Sequence, residues 1–426
     1  LTLDLHCNRL GSTALFQICE CHVLHARLEV LNLSGNRLTD ACASYLSTIL
    51  QNCKALYSLN IDQCSITSRT IQKVADSLTS GSVLTHLSLG HNHPIAANAL
   101  INLLVTLTNV KRFQELSLRG IKLSKPVIES LCQLIKGSCL SGLLLGSTSI
   151  GPEGMLKLMQ SLSTESQELK LDVSSCGLTP DCIVRLNAEV SVFNSIVELD
   201  LGGNQLKQEG GRALAAALSN PRCCFRVLLL QKCQLGPLGI LWILKALSEN
   251  YYLEELNVAE NAHQEEINAL LQDPCSNVLQ SDINLLDHTS EVSAANAKES
   301  CQEDLCTINT DNNLLEAPDS EDEQVEVDAI ELAMNQNCGG TSVKNHSNLE
   351  SWYIQELTAA IQMAENLQLL DLSSNGFMKQ LTENLYAVWA SGSRSGSSRA
   401  HIEDNTFHLS VEGVKCCHLK RCCRRI

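Results

Sequence analysis

LEVLNLSGNRL, Leu28–Leu38, is the stretch whose reading decides the fold. Its apolar residues do not recur at the three- and four-residue intervals of an amphipathic helix. Leu31 and Leu33 alternate as in a strand and point to one face, and Asn36 follows where the chain must turn. Aligning the chain on Asn36 finds Asn8, Cys64, Asn92, Ile121, Thr148, Cys176, Asn204, Cys233, Asn261 and, much later, Asn375. Through Asn261 the spacing is 28 residues, varying only between 27 and 29. The strand pairs repeat with it, from Leu3/Leu5 through Leu59/Ile61 and Leu171/Val173 to Leu370/Leu372.

A period this regular marks a solenoid, and its length and LxxLxLxxNxL pattern predict an α/β leucine-rich repeat solenoid, a horseshoe of about eleven repeats. One repeat cannot bury its leucines alone, so stacked neighbours must close a shared core. Parallel strands are expected on the concave face. Helices such as Thr70–Leu78 and Gly211–Leu218, apolar at three- and four-residue intervals, belong on the convex one. The column residue must satisfy inward-turned backbone groups. Asn can both donate and accept; Thr and Cys do so less well, and Ile121 cannot, which predicts a local irregularity there.

The period sets the organisation: repeats over residues 1–271, an interruption over 272–348, a final repeat with closing helix over 349–390, and a tail over 391–426. Leu1 falls inside a strand block, which reads as a fragment. Between Gln272 and Glu331 stand sixteen acids and one base, Lys298, nearly the whole formal charge of −16. That composition predicts a disordered insertion, serving either as a solvating spacer or as a motif for basic partners; Ser320 before Glu321, Asp322 and Glu323 also fits an acid-directed kinase site. Trp352–Met363 and Gln380–Trp389 read as helices flanking the strand of the last repeat. SGSRSGSS, Ser391–Ser398, reads as a Gly/Ser linker. Phe407, Leu409 and Val411 alternate ahead of Glu412-Gly413, so a hairpin returning at Val414 is expected.

The repeats and tail together are close to neutral, which argues against direct nucleic-acid binding on the repeats. No run of eighteen apolar residues is present, so no membrane association is expected. With no secretory signal, the 21 cysteines read as reduced thiols, many of them small buried hydrophobes. Cys416, Cys417, His418, Cys422 and Cys423 lack a second well-spaced pair such as CxxC; packing, zinc, lipidation and redox roles stay open there, and no metal is assigned. His91 and His93 around Asn92 read as loop histidines. GxSxG, P-loop, HExxH and dinucleotide fingerprints are all absent, so no catalytic residue and no cofactor is expected.

What remains is the outward face of the sheet. Between each pair of inward residues stands one outward residue: Asp4, Asn32, Asn60, Ser88, Ser117, Leu144, Asp172, Asp200, Leu229, Asn257 and Asp371. Glu115, Glu198 and Glu255 flank this column, against Arg119 and Lys170. The acids and small side chains leave a trough for a basic protein segment, with Leu144 and Leu229 as anchors. Equally, these residues could only keep the sheet soluble.

Two resemblances follow. The 28-residue period resembles the ribonuclease-inhibitor class of repeats, which includes innate-immune receptors and Ran GTPase activators. The cysteines in the Asn column, the acidic insertion before the last repeat, LYAVWASGSRSG (Leu385–Gly396) and FHLSVEGVKCCHLKRCCRRI (Phe407–Ile426) together resemble the C-terminal region of the plant Tonsoku, or Brushy, family. That resemblance implies a nuclear protein of replication-coupled genome maintenance, DNA-damage response, chromatin inheritance and meristem organisation, here as a scaffold for a replication, repair or histone-related partner. An immune receptor or a Ran GTPase activator-like regulator is the alternative.

Overall fold

A computed structural model describes residues 1–92, 94–162, 168–188, 192–263, 265–266, 346–394 and 396–414. The insertion, His93, the kinase-site reading at Ser320 and the cysteine cluster of the tail lie outside the described residues. The chain divides into two compact units, residues 1–267 with 354–426, and Asn268–Tyr353. The first unit carries the repeats.

Its sheet contains β1 (Thr2–Asp4), β2 (Val30–Asn32), β3 (Ser58–Asn60), β4 (His86–Ser88), β5 (Glu115–Ser117), β6 (Gly142–Leu144), β7 (Leu169–Asp172), β8 (Ile196–Asp200), β9 (Val227–Leu229), β10 (Glu255–Asn257) and β11 (Leu369–Asp371). Each pairs in parallel with the next, and the register keeps every predicted inward pair aligned. β10 pairs directly with β11, so the final repeat stacks on the tenth in the same register despite the interruption between them. A short strand and a return helix per repeat is what the alternation of period two and period 3.6 dictates. The helices are α1 (Ser12–Glu20), α2 (His22–Arg27), α3 (Ala43–Asn52), α4 (Ser68–Ser77), α5 (Ala97–Thr108), α6 (Lys125–Gly137), α7 (Gly151–Gln160), α8 (Pro180–Ala188), α9 (Lys207–Leu218), α10 (Gly236–Ala246), α11 (His346–Met363) and α12 (Lys379–Ser391). Among the described residues no helix is long and apolar enough to cross a membrane.

Between sheet and helices lies one continuous core. Leu31, Leu33, Leu46, Leu59 and Ile61 are at most 1% exposed, and their counterparts from the third repeat onward are buried as well. A ladder of side chains closes the turn in each repeat. Asn36 accepts N–H bonds from Asn8 and Leu10 at 2.9 Å, and donates to the carbonyls of Leu5 and Leu33 at 2.9 and 2.8 Å. Asn92, Asn204, Asn261 and Asn375 repeat this pattern. Cys64, Cys176 and Cys233 supply only the thiol bond, to Leu33, Leu145 and Leu201 at 3.1–3.3 Å. Burial pushes the Cys64 and Cys233 thiols up to about 12, so they pack as apolar groups rather than as nucleophiles.

Two expectations change. The register runs unbroken through β4, β5 and β6, so Ile121 does not distort the sheet. The loss falls on the ladder: Ile121 is buried, and Leu123 N–H only reaches Thr148 O at 3.5 Å. The irregularity lies instead at Leu169/Lys170, where β7 and β8 shift register. The second change is at the C-terminal end. The hairpin is formed by β12 (Ser398–Glu403) and β13 (Thr406–Val411), with its turn at Asp404-Asn405 rather than at Glu412-Gly413. β13 adds antiparallel to β11 and closes that edge. Nor is the Gly/Ser stretch a linker: Arg394 within it is 9% exposed and seated under the last repeat.

Candidate functional site: the open face of the sheet

The outward column forms as expected. Asp4, Asn32, Asn60, Ser88, Ser117, Leu144, Asp172, Asp200, Leu229, Asn257 and Asp371 stand side by side in successive strands. Glu115, Glu198 and Glu255 lie in register one column earlier. Their chemistry differs from the sequence reading in three ways.

First, the acids and amides of the column share a structural task. Asp4, Asn32, Asn60, Asp172, Asp200, Asn257 and Asp371 each accept, through Oδ1, the N–H of the residue two positions on, at 2.9–3.2 Å. This side-chain turn ends each strand. It explains Asp and Asn there without any partner, so only their second oxygens bear on binding.

Second, two of the acids are already held by cations. Arg119 Nε meets Asp172 Oδ2 at 2.5 Å, reaching past the intervening strand. It can do so because the intervening position is Gly146, where a Cβ would sit 3.0 Å from that carboxylate. Lys170 pairs with Glu198 at 2.8 Å, and Asp4 with His6 at 2.7 Å. The trough is therefore less acidic than the column alone reads.

Third, Asp371 is not open. It is 5% exposed, accepts from Ser373 and lies 3.3 Å from His408 Nε2 on β13. Asn257 is 8% exposed and Asp172 4%. Burial removes Asn257 and Asp371 from any face a partner reaches, and β13 closes the sheet edge beside Asp371.

Asp200 stands apart. It is half-buried; Oδ1 accepts Gly202 N–H at 2.9 Å and Gln231 Nε2 at 3.4 Å, and among the described residues no cation forms an ion pair with it. Burial, then the neighbouring Asp172 charge, push its carboxyl up to about 6, outweighing the Gly202 bond and Arg119. Next to Asp200, Gln231 Oε1 is a buried polar atom without a hydrogen-bond partner among the described residues. Sequence reasoning named Arg119 only as a flanking base and missed its pairing, as it missed Gln231 and Gly146, because all three stand two positions beyond the column, where only the register brings them together.

A folded pKa of about 6 against an ordinary 3.8 means the native state holds the Asp200 proton more tightly than the unfolded chain. Asp200 therefore favours folding least above pH 6, and its cost fades as pH falls toward 4. Asp200→Asn keeps both Oδ1 bonds without the charge. It is expected to raise stability by about 1–2 kcal/mol at pH 7.5 and by almost nothing at pH 4, read from urea denaturation at the two pH values.

Comparison with known proteins fits this architecture. Two family profiles, both described as leucine-rich repeat, match residues 194–215 and 27–49. The fold is a leucine-rich repeat solenoid. The repeats are 28% identical over 268 residues to human NACHT, LRR and PYD domains-containing protein 5, covering 61% of this chain and 22% of that protein. They are 26% identical over 296 residues to pig ribonuclease inhibitor, covering 61% of this chain and 64% of the inhibitor. The chain thus spans less than two thirds of either relative. Among solved structures, the leucine-rich repeat protein LegL7 of Legionella pneumophila is 19% identical, covering 64% of this chain and 86% of its own, with a TM-score of 0.42, too low to bear on function. Nothing in these likenesses points to the Tonsoku family.

Among the described residues no group of three or more His, Cys, Asp or Glu is placed to hold a metal ion.

Proposed function

We propose that this chain is a non-enzymatic protein-interaction scaffold whose open sheet face takes a basic polypeptide segment, and that it serves in the nucleus as the partner-binding region of a replication-coupled genome-maintenance factor. The observation that carries the scaffold reading is the outward column itself: successive strands present aligned side chains in one register, with Asp200 half-buried and lacking a cation. Repeat solenoids use such extended faces to bind other proteins. The nuclear part rests on the Tonsoku resemblance of Leu385–Gly396 and Phe407–Ile426.

A second reading has its own support. The relatives include NACHT-domain proteins and ribonuclease inhibitors, so the same face would suit an innate-immune receptor or an inhibitor of a basic protein.

The test is affinity purification from dividing plant cells, comparing the chain with a Leu144→Glu/Asp200→Lys variant. Replication, repair or histone-handling proteins are expected, and the variant is expected to release them. Retention by the variant would move binding off this face. Recovery of immune-signalling proteins or secreted nucleases instead would replace the genome-maintenance reading with the second.

A further inference from the structure

Leu144, Asp172, Asp200 and Leu229 are consecutive in the outward column, each paired in register with the next. The face therefore runs apolar, acid, acid, apolar across four adjacent strands. Leu144, Asp200 and Leu229 are only half-buried. Strands lie about 4.8 Å apart, so Leu144 and Leu229 stand on the order of 14 Å apart with the carboxylates midway.

The charges at the centre do not balance. Arg119 occupies Asp172, whose other oxygen accepts from the N–H and Oγ of Ser174 at 2.9 and 2.7 Å. Asp200 keeps Oδ2 without a hydrogen-bond partner among the described residues. Gln231 Oε1, on the side chain that meets Asp200, is buried without a hydrogen-bond partner among the described residues. The second carboxylate oxygen of Asp200 and two half-buried leucines lie side by side on this face, while Arg119 is already engaged by Asp172.

We infer that this patch is a clamp for an extended peptide segment of the form apolar–x–Arg or Lys–x–apolar, lying across the strands with its cation on Asp200 and its apolar residues on Leu144 and Leu229. In an extended chain the side chains at positions one, three and five share a face and span roughly 13 Å, matching the separation of the two leucines. A helix would advance only about 6 Å over the same five residues and could not seat all three. The inference deepens the scaffold reading and rests on it.

The experiment titrates the full chain into fluorescein-labelled peptides and follows anisotropy. One peptide carries Leu-Thr-Arg-Thr-Leu, a second has the same composition with the arginine outside the leucines, and a third replaces arginine with citrulline. The first is expected to bind at least about tenfold more tightly than the other two. Asp200→Asn, which is expected to stabilise the fold, should lose about tenfold for the first peptide, so weakened binding cannot be unfolding. Equal binding of the first two peptides, both weakened by Asp200→Asn, overturns the clamp and leaves a general acidic trough. No peptide binding, while the chain still captures its protein partners through this face, overturns the clamp alone. Binding unaffected by Asp200→Asn overturns it as well.

Discussion

Replacing Arg394 with alanine is expected to destabilise the last repeat by about 3–5 kcal/mol, the largest effect of any single charged side chain here. The guanidinium is buried with no carboxylate bonded to it. Nε donates to Leu367 O at 3.1 Å, Nη1 to Trp389 O at 3.2 Å, and Nη2 to Ile361 O and Ala364 O at 2.7 and 2.8 Å. It also stacks on the Trp389 ring, 3.8 Å from the centroid. Two of its acceptors are at the C-terminal end of α11, where unpaired carbonyls and the helix dipole favour a cation. One side chain thus ties together α11, the approach to β11, and α12. Arg394→Lys offers donors without the planar fork and is expected to recover less than half of the loss. Because contacts in a solenoid are to neighbours only, the damage should stay local. Hydrogen exchange is expected to accelerate in β11, β12 and β13 of the alanine variant while β2 to β5 keep their protection. Uniform acceleration along the sheet would show that the cap governs the whole stack.

The contrast between Arg394 and Leu31 shows what the sequence made legible. Leu31, Leu33 and Asn36 repeat, so their environment could be read by superposing eleven copies, and strands, register and outward column followed. Arg394 occurs once, in SGSRSGSS, where composition reads as a linker. Gly392 in that stretch serves the opposite purpose: a Cβ there would meet the Arg394 guanidinium at 2.5 Å. Arg119 was hidden differently. Its partner Asp172 lies 53 residues away, and only the absence of a side chain at Gly146 opens the route between them. The turns conceal a third feature. The residue before each column position takes a left-handed backbone, yet besides Gly35, Gly120 and Gly203 these are Cys7, Gln63, His91, Ser147, Ser175, Lys232, Glu260 and Ser374. The ladder and register hold these residues in a conformation their own preferences oppose, which no local pattern announces. The same holds for the column acids, where charge caught attention and the hydrogen bond to the N–H two residues on did not.

Asn204→Ala is expected to cost about 3–5 kcal/mol, against about 1 kcal/mol for Cys176→Ala in the adjoining repeat, although both occupy the same column. Asn204 Oδ1 accepts Cys176 N–H and Leu178 N–H, both at 3.0 Å, and Nδ2 donates to Val173 O and Leu201 O at 3.0 and 2.7 Å. Asn204 is 1% exposed, so alanine would leave two buried N–H groups without acceptors and water could not enter without opening the repeat. The Cys176 thiol reaches the preceding repeat only weakly, with Sγ 3.1 Å from Leu145 O and 3.6 Å from Thr148 Oγ1, and a thiol is a weak donor. The arrangement along the chain explains why the weaker residue is tolerated. Cys64, Cys176 and Cys233 are each followed by an asparagine, Asn92, Asn204 and Asn261, which captures the cysteine's own N–H at 2.8–3.0 Å. Each asparagine thereby serves its own repeat and completes the one before it. Pairing the two variants should therefore give less than the sum of their separate effects, since Asn204→Ala already frees the Cys176 backbone. Additive losses in urea denaturation would show instead that the repeats are satisfied independently.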